Sequence, residues 1–536
     1  GASLDDQTEI GLGEIAASVS VGARGRFVRL PNGDFLALEE RVRQTVAALQ
    51  GAEPLAQRPR ELKIHEAALD TLDTLAALGS KTDQKSGGFE LDAETQSFLA
   101  RVESVKQSRF DAPAGLRAEL RSYQLAGFRW LACLSTLGFG ACLADDMGLG
   151  KTIQILALLL TRVHEGPILV VAPTSVCSNW LLEAARFAPG LEAREYTGAK
   201  RAALLEEFSA ERARPGQLLI ASYGLLQQDI DALAAIHWGT VVLDEAQFIK
   251  NAKSLRAHAA RRLEAKSRIA ATGTPVENHL GDLWSILSFV NPGLLGSWRS
   301  FSSRFIKPIE QRQDAQARTL LQREIGPYVL RRTKSEVLAD LPPLTLVHHM
   351  IELGEREALG YQRLRREIRD KLHTREGRRD NQLEILAEIT RLRRYCCHPR
   401  LVVPDAPSDG AKLEALIDLV LELRDNQHRV LVFSQFVDFL ALVRERFAET
   451  EISHQYLDGS TPKAERQARV EAFQAGEGTV FLISLKAGGF GLNLTAADYV
   501  IHLDPWWNPA VEAQATDRAH RIGQERPVTV YRLITK

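Results

Sequence analysis

The sequence predicts an α/β protein of two doubly wound parallel-sheet lobes, with helical insertions and an N-terminal accessory region. Three observations carry that expectation. Short, buried, β-rich runs alternate with helical stretches; they do so in two separate series; and an arginine-rich helical segment lies between the series. A chain of 536 residues is long enough for three or four folding units of about 150 residues. Its 45% hydrophobic content lets each bury a core.

Residues 1–110 hold no sharp motif and form the accessory region. Phe27 to Leu36 reads as a hairpin around Pro31-Asn32-Gly33, Glu39 to Leu49 and Glu61 to Leu78 as helices, and Lys81 to Gly88 as a linker. Over residues 111–290, the first lobe, Gly140 to Ala144, Ile168 to Ala172, Gln217 to Ser222, Thr240 to Leu243 and Arg268 to Ala271 have the continuous apolar character of buried parallel strands. Over residues 409–536, the second lobe, the strands are Arg429 to Phe433, Gln455 to Leu457, Thr479 to Ser484, Tyr499 to Leu503 and Val528 to Leu533. Helical periodicity intervenes, as at Pro462 to Gln474. Sheets of this kind bind ligands at the carboxyl ends of their strands, so the chemistry is expected there. Residues 291–408 are expected to be helical protrusions and an inter-lobe linker.

Lys plus Arg, 67, nearly balances Asp plus Glu, 68, so no global basic field holds nucleic acid and any such binding comes from local patches. One candidate is residues 291–400, with 22 Lys or Arg against 14 Asp or Glu; a solvated helix face accounts for this charge equally well. Five cysteines (Cys133, Cys142, Cys177, Cys396, Cys397) form no CxxC pair, which argues against zinc or a disulfide framework and for ordinary buried thiols. The longest apolar stretches, such as Ile155 to Leu160, fall short of the ~20 residues a bilayer helix needs, so a soluble protein is expected. Gly1-Ala2-Ser3 carries no leader pattern, and without a Met it leaves the natural start undefined.

Three motifs carry chemistry. Ala144 to Thr152 follows a strand and opens an apolar helix, which is the setting of a phosphate-binding loop. Asp146, Met147, Gly148, Leu149 and Gly150 would wrap the phosphates, Lys151 would reach the β and γ oxygens, and Thr152 would ligate magnesium. One departure stands out: the strict pattern has Gly at position 145, where this chain has Asp. Second, Val241-Val242-Leu243-Asp244-Glu245-Ala246-Gln247 puts two carboxylates after a buried strand, Asp244 for the Mg shell and Glu245 to orient or deprotonate the attacking water. Third, Arg518 and Arg521 fall at i and i+3, one face of a helix, as cations for the developing γ-phosphate charge. Alone, a glycine turn, an acidic pair or an arginine pair is an ordinary loop, cap or surface feature; their combination favours catalysis.

Together with Leu120-Arg121-Ser122-Tyr123-Gln124, Thr272-Gly273-Thr274-Pro275, Lys486 to Asn493 and Asp517 to Gln524, these stretches resemble, in order over residues 111–536, the Swi/Snf-type ATPases of helicase superfamily two. The resemblance implies two RecA-like lobes and an ATP- and Mg2+-using translocase that tracks along double-stranded DNA without parting its strands, remodelling or displacing bound protein. It implies that Gln124 reads the adenine edge, although from its position alone it is a helix-start residue. It aligns Thr174, Asn179, Trp180, Ser222 and Tyr223 in lobe one, and Ser434, Gln435, Gly459, Ser460, Thr461, Ser484, Lys486, Gly488 and Gly489 in lobe two, with segments that touch DNA. Such hydroxyls, amides and exposed N–H groups suit phosphate oxygens and carry no base code.

It also matches Leu330-Arg331-Arg332-Thr333-Lys334 and Leu392 to Pro399 with stretches of the family's helical protrusions, and this tips the basic segment towards duplex contact. Cys396, Cys397 and His398 are adjacent and cannot easily surround an ion, so packing is their expected role. Trp506 and Trp507 are expected to be structural support. The family's acidic motif more commonly ends in His where this chain has Gln247, a change expected to alter coupling. The chain also stops where relatives continue into further helix, so weakened or deregulated activity is expected. An RNA-directed helicase, or an ATPase whose main partner is RNA polymerase or another DNA-bound complex, remains the alternative. Ala, Leu and Arg richness with a compact inter-lobe insert suggests a bacterial relative and so a cytoplasmic location; association with the nucleoid as a monomer is expected.

Overall fold

The structure, a computed structural model, describes residues 93–536 except 200, 210–211, 274–278, 339–340, 374–380, 407–409, 486–491 and 507, together with six short strands before residue 93. Among those strands Phe27–Arg29 pairs antiparallel with Phe35–Ala37, Val28 opposite Leu36, the two arms of the expected hairpin, whose Pro31-Asn32-Gly33 lies outside the described residues. Arg58–Lys63 is a strand, so the helix expected from Glu61 does not begin there. The helix at 39–49, the rest of 61–78 and the linker at 81–88 lie outside the described residues. Contacts divide the chain into two compact units, residues 1–145 with 151–332, and residues 146–150 with 333–536.

The first unit is built on a parallel sheet of β1 (Ala141–Leu143), β2 (Ile168–Ala172), β3 (Glu192–Glu195), β4 (Gln217–Ser222), β5 (Trp238–Asp244), β6 (Ala265–Ala271) and β7 (Val329–Leu330), in the order β7-β1-β6-β5-β2-β4-β3. The central strands are covered on both faces, which is why Ile168-Leu169-Val170-Val171-Ala172 is apolar without alternation and every residue of it is buried. Helix α1 (Ser122–Leu137) enters the sheet and stops at Gly138, whose left-handed φ of 86° lets its N–H close on the carbonyls of Leu134 and Ser135. Helix α2 (Lys151–Thr161) is apolar all round because Gln154 to Leu159 are buried. Helix α3 (Thr174–Phe187) comes after β2 in the chain, and α4 (Ala315–Ile325) comes before β7.

The second unit has a six-stranded parallel sheet: β8 (Leu344–Ile351), β9 (Val430–Ser434), β10 (His454–Leu457), β11 (Val480–Ser484), β12 (Tyr499–His502) and β13 (Val528–Thr535), in the order β8-β13-β12-β9-β11-β10. Alternate residues serve two cores. Val430, Val432, Val480, Leu482 and Ile501 pack on one face, and Leu431, Phe433, Phe481, Ile483 and Val500 on the other. Burying each such side chain contributes about 1.5–3 kcal/mol. The helices are α5 (Glu355–His373), α6 (Asn381–Cys397), α7 (Ala411–Asp425), α8 (Val437–Glu449), α9 (Lys463–Ala475) and α10 (Pro509–Thr516). The two doubly wound lobes expected from the sequence are therefore present.

Two strands, β7 and β8, fall inside the stretch 291–408, where the sequence suggests helices. β7 pairs with β1, and β8 runs beside β13 from Leu344↔Val528 to Ile351↔Thr535. As an edge strand β8 leaves Leu344, Leu346 and Met350 exposed, so it lacks the buried-run signal by which the central strands announce themselves. No helix among the described residues is long and apolar enough to cross a membrane.

Candidate active site

Parallel β1, β6 and β5 are neighbours, with Leu143 opposite Ala271 and Ala271 opposite Asp244, so the segments leaving these strands emerge along one edge of the first unit's sheet. After β1 comes the loop 145–150. Gly148 (φ 84°) and Gly150 (φ 77°) occupy left-handed backbone that a β-carbon disfavours. The Lys151 ammonium donates to the carbonyl of Asp145 at 2.7 Å. Aspartate stands where the strict motif has glycine because its carboxylate, fully buried, is paired with Arg332.

After β5 come Asp244 and Glu245. The Asp244 carboxylate accepts the indole N–H of Trp180 at 2.8 Å and the Glu245 N–H at 2.9 Å. Burial pushes its pKa up, against the pull of the Trp180 N–H and of Lys151. Glu245 has φ 51°, a left-handed conformation that costs a residue with a β-carbon about 1–2 kcal/mol. Its carboxylate is held by Gln247, whose Nε2 donates to Glu245 Oε2 at 2.8 Å while its Oε1 accepts the hydroxyl of Thr272, after β6, at 2.8 Å. Gln247 thus joins the ends of two adjacent strands through both ends of one amide.

Trp180 and Tyr223 do not take the DNA-contacting role expected of them. Trp180 is 0% exposed and its indole N–H goes to Asp244; Tyr223 is 2% exposed, stacks on Phe248 at 5.1 Å, and gives its hydroxyl to the Asp244 carbonyl at 2.9 Å. Both hold the acidic motif. Ser222 caps the following turn, accepting the Leu225 N–H. Thr174 is exposed at the start of α3, and half-buried Asn179 donates to Glu183 at 2.7 Å. Gln124 takes the helix-start role that its position alone suggests, its Oε1 accepting the Arg121 N–H at 3.0 Å.

In the second unit Ser434 and Ser484 are also corrected, being buried; the Ser434 hydroxyl accepts the Phe436 N–H at 3.0 Å. The Gln435 N–H goes to the buried Asp504 carboxylate at 3.1 Å. Asp458 shapes the next loop. Its Oδ1 accepts the N–H groups of Ser460 (2.9 Å) and Thr461 (3.1 Å) and the Ser460 hydroxyl, and its Oδ2 accepts the Tyr456 hydroxyl. Burial would raise this carboxyl, but the hydrogen bonds outweigh it and hold the pKa at about 2. Gly459 and Ser460 are exposed at the tip; Thr461 is buried beneath. Lys486, Gly488 and Gly489 lie outside the described residues, as do Thr274, Pro275 and Trp507.

Arg518 and Arg521 do not share a helix face, because α10 ends at Thr516. The Arg518 carbonyl accepts the Leu494 N–H at 3.0 Å, a bond that a continuing helix would have forfeited to residue 522. The Arg518 guanidinium is buried and donates to the Leu492 carbonyl, while Arg521 is half-buried. His398 Nδ1 accepts the Arg400 N–H, and burial pushes the Cys397 thiol up, both in keeping with packing. Trp506 lies under the Arg393 guanidinium, 5.0 Å from ring centroid to charge.

Comparison with known proteins gives this edge its context. Residues 123–401 match the SNF2-related domain, just over half of the chain, and residues 411–523 match the helicase conserved C-terminal domain. The chain belongs to the SNF2-related family. Among SNF2-related proteins it is 40% identical over 480 residues to YwqA of Bacillus subtilis, whose name is that of an ATP-dependent helicase/translocase, covering 87% of this chain and 51% of that one. It is 35% identical over 438 residues to the human SWI/SNF-related matrix-associated actin-dependent regulator of chromatin subfamily A member 1, covering 78% and 41%. The chain therefore spans about half the length of these SNF2-related relatives, or less. A solved SWI2/SNF2 ATPase core of Sulfolobus solfataricus in complex with dsDNA is 36% identical, with a TM-score of 0.43, over 80% of this chain and 90% of that one. Two residues of this SNF2-related chain gain roles that sequence patterns gave no sign of. Trp180 holds Asp244, and Arg332 holds Asp145 across 187 positions of sequence.

Proposed function

We propose that this chain is the ATP-hydrolysing motor of a double-stranded DNA translocase, which binds duplex through its phosphates and moves without separating the strands. The observation that carries the reading is the convergence, along one sheet edge, of a glycine-shaped loop ending in Lys151-Thr152 with Asp244, Glu245, Gln247 and Thr272. The Thr152 hydroxyl and Asp244 carboxylate are the hard oxygen donors that Mg2+ prefers, and a buried carboxylate whose pKa burial has raised gains from a cation beside it. When bound, Mg2+ supplies neutralisation of charge on the β and γ phosphates.

The chain's own residues do the rest. Lys151 leaves the Asp145 carbonyl for the phosphate oxygens, and loop N–H groups line the triphosphate. Glu245, fixed by Gln247, orients the attacking water and takes its proton. Arg521 is assigned the stabilisation of charge on the departing phosphoryl group; Arg518, held by Leu492, shapes the segment that presents it. Exposed Thr174, Gly459 and Ser460, with Asn179 and Lys486, are the proposed phosphate contacts on DNA, which gives sequence-independent binding. Cycles of nucleotide binding and release would then alternate the grip on the duplex.

The test is ATP turnover measured without nucleic acid and with single-stranded DNA, duplex DNA or RNA. Stimulation by duplex above all others, with no strand release and a steep fall with added salt, is expected. Preferential stimulation by RNA, with unwinding, would replace this reading with that of an RNA-directed helicase.

A further inference from the structure

Arg332 is the last residue of the first unit before the chain passes to the second, and it belongs to none of the motifs assigned to nucleotide chemistry. It follows β7, which does more than extend the sheet: the Leu330 carbonyl accepts the N–H of Ala144 at 2.7 Å, the residue immediately before the phosphate loop. The Arg332 side chain then reaches inward to three separate segments. Its Nε donates to Asp145 Oδ1 at 2.9 Å and its Nη2 to Asp145 Oδ2, a two-point grip on the carboxylate that opens the loop. The same Nη2 donates to Gln154 Oε1 at 2.9 Å, within the helix that closes the loop. Its Nη1 donates to the Tyr123 carbonyl, and the guanidinium lies 5.3 Å from the centre of the Tyr123 ring, beside Gln124.

Asp145 and Gln154 are fully buried and the Arg332 side chain is 13% exposed, so the geometry is held in a dry setting. Gly127 makes room for it. A β-carbon there would stand 2.0 Å from Gln154 Oε1 and 2.7 Å from Arg332 Nη2. The Asp145 carbonyl is also where Lys151 rests, so the residue Arg332 grips is the one from which the phosphate-binding lysine departs.

We infer that Arg332 is a positioning residue for the nucleotide: it fixes the loop at Asp145, helix α2 at Gln154 and the adenine-side segment at Tyr123 in one spacing, so that base and phosphates are received together. Arg332 acts through these groups and is not itself a catalytic residue. The inference rests on the reading that loop 145–152 holds the triphosphate, and the experiment separates the two.

Binding of a fluorescent ATP analogue and steady-state ATP hydrolysis are measured for the parent chain, R332A, D145N and K151A, with and without tens of millimolar guanidinium. R332A is expected to raise the dissociation constant and KM about tenfold or more while kcat at saturation changes far less. Guanidinium should restore much of the loss in R332A alone, which a merely unstable protein would not show. If R332A leaves a buried carboxylate too costly for the chain to fold, D145N keeps the shape, removes the charge and is expected to weaken binding in the same direction. Folded R332A or D145N that binds nucleotide as the parent does, while K151A does not, overturns the positioning role. K151A binding as tightly as the parent overturns the reading of the loop, and this inference with it.

Discussion

Gln247 shows how much of a site can hang on one neutral side chain. Both carboxylates of the acidic motif lie at the end of β5, but only Glu245 sits in left-handed backbone, which turns its side chain away from the strand direction and leaves its placement to neighbours. Gln247 supplies that placement by donating to Glu245 and accepting from Thr272. Replacing it with glutamate keeps the length, removes the donor and sets a like charge beside Glu245. Q247E should therefore bind nucleotide as the parent does and hydrolyse it about tenfold to a hundredfold more slowly, read by single-turnover rates at saturating ATP. The residue types that meet along this sheet edge are legible in the sequence, because glycines, a lysine, a threonine and paired acids at strand ends are the pattern that phosphate and water chemistry would call for. Their supports are not. The link of Trp180 to Asp244 spans 64 positions and that of Arg332 to Asp145 spans 187, and nothing local to an indole or a guanidinium reveals a partner that distant. Asp145, standing where a glycine is due, is an irregularity visible in the sequence, but it names no partner.

At the scale of elements, strands buried on both faces are legible within a residue or two at most edges, since continuous apolar runs such as Val480 to Ser484 leave little else to be. Three of the four edge strands escape: β7 is two residues long, β3, Glu192–Glu195, is wholly polar or small, and β8 is exposed along most of its length, while the edge strand β10 is read. The carboxyl end of β12 and the turn that follows make a prediction of their own. His502 is buried, stacked on Phe433 and bonded through Nε2 to the Thr516 hydroxyl; burial, aided by Arg532, depresses its pKa to about 3. Two residues on, burial raises Asp504 to about 6, against hydrogen bonds from Ser434 and Gln435. The signs oppose. The depressed histidine contributes stability that is complete above its unfolded value of about 6.5 and is lost as pH falls towards 3; the raised aspartic acid contributes stability that is complete below its unfolded value of about 3.9 and is lost as pH rises through 6. Between about pH 6 and pH 4 the two slopes, each up to roughly 1.4 kcal/mol per unit, cancel. H502Q should then grow more stable relative to the parent as pH falls through this window, and D504N less stable, in urea unfolding followed across it. Parallel profiles for all three proteins would show that the burial of this turn does not set their titration.

For the molecule as a whole, each unit has its own sheet and core, and the residues assigned to nucleotide chemistry are shared unequally between them. Lys151, Thr152, Asp244 and Glu245 belong to one unit, and the loop residues 146–150 with Arg521 to the other. In the proposed arrangement Thr152 and Asp244 would hold Mg2+, and the loop amides with Lys151 would hold the ground-state triphosphate, none of which calls on Arg521. An arginine exerts its effect on the charge that grows as the terminal bond breaks, which is a property of the transition state alone. R521A should accordingly keep the parent's affinity for a fluorescent ATP analogue while losing duplex-stimulated turnover by about a thousandfold. The same substitution separates this division of labour from a simpler one. If the first unit carried the whole of the chemistry, R521A would hydrolyse ATP at the parental rate with the same dependence on DNA; if Arg521 served only to bind, KM would rise and kcat would stand. Loss confined to kcat is the signature of a group that acts after the nucleotide is already in place.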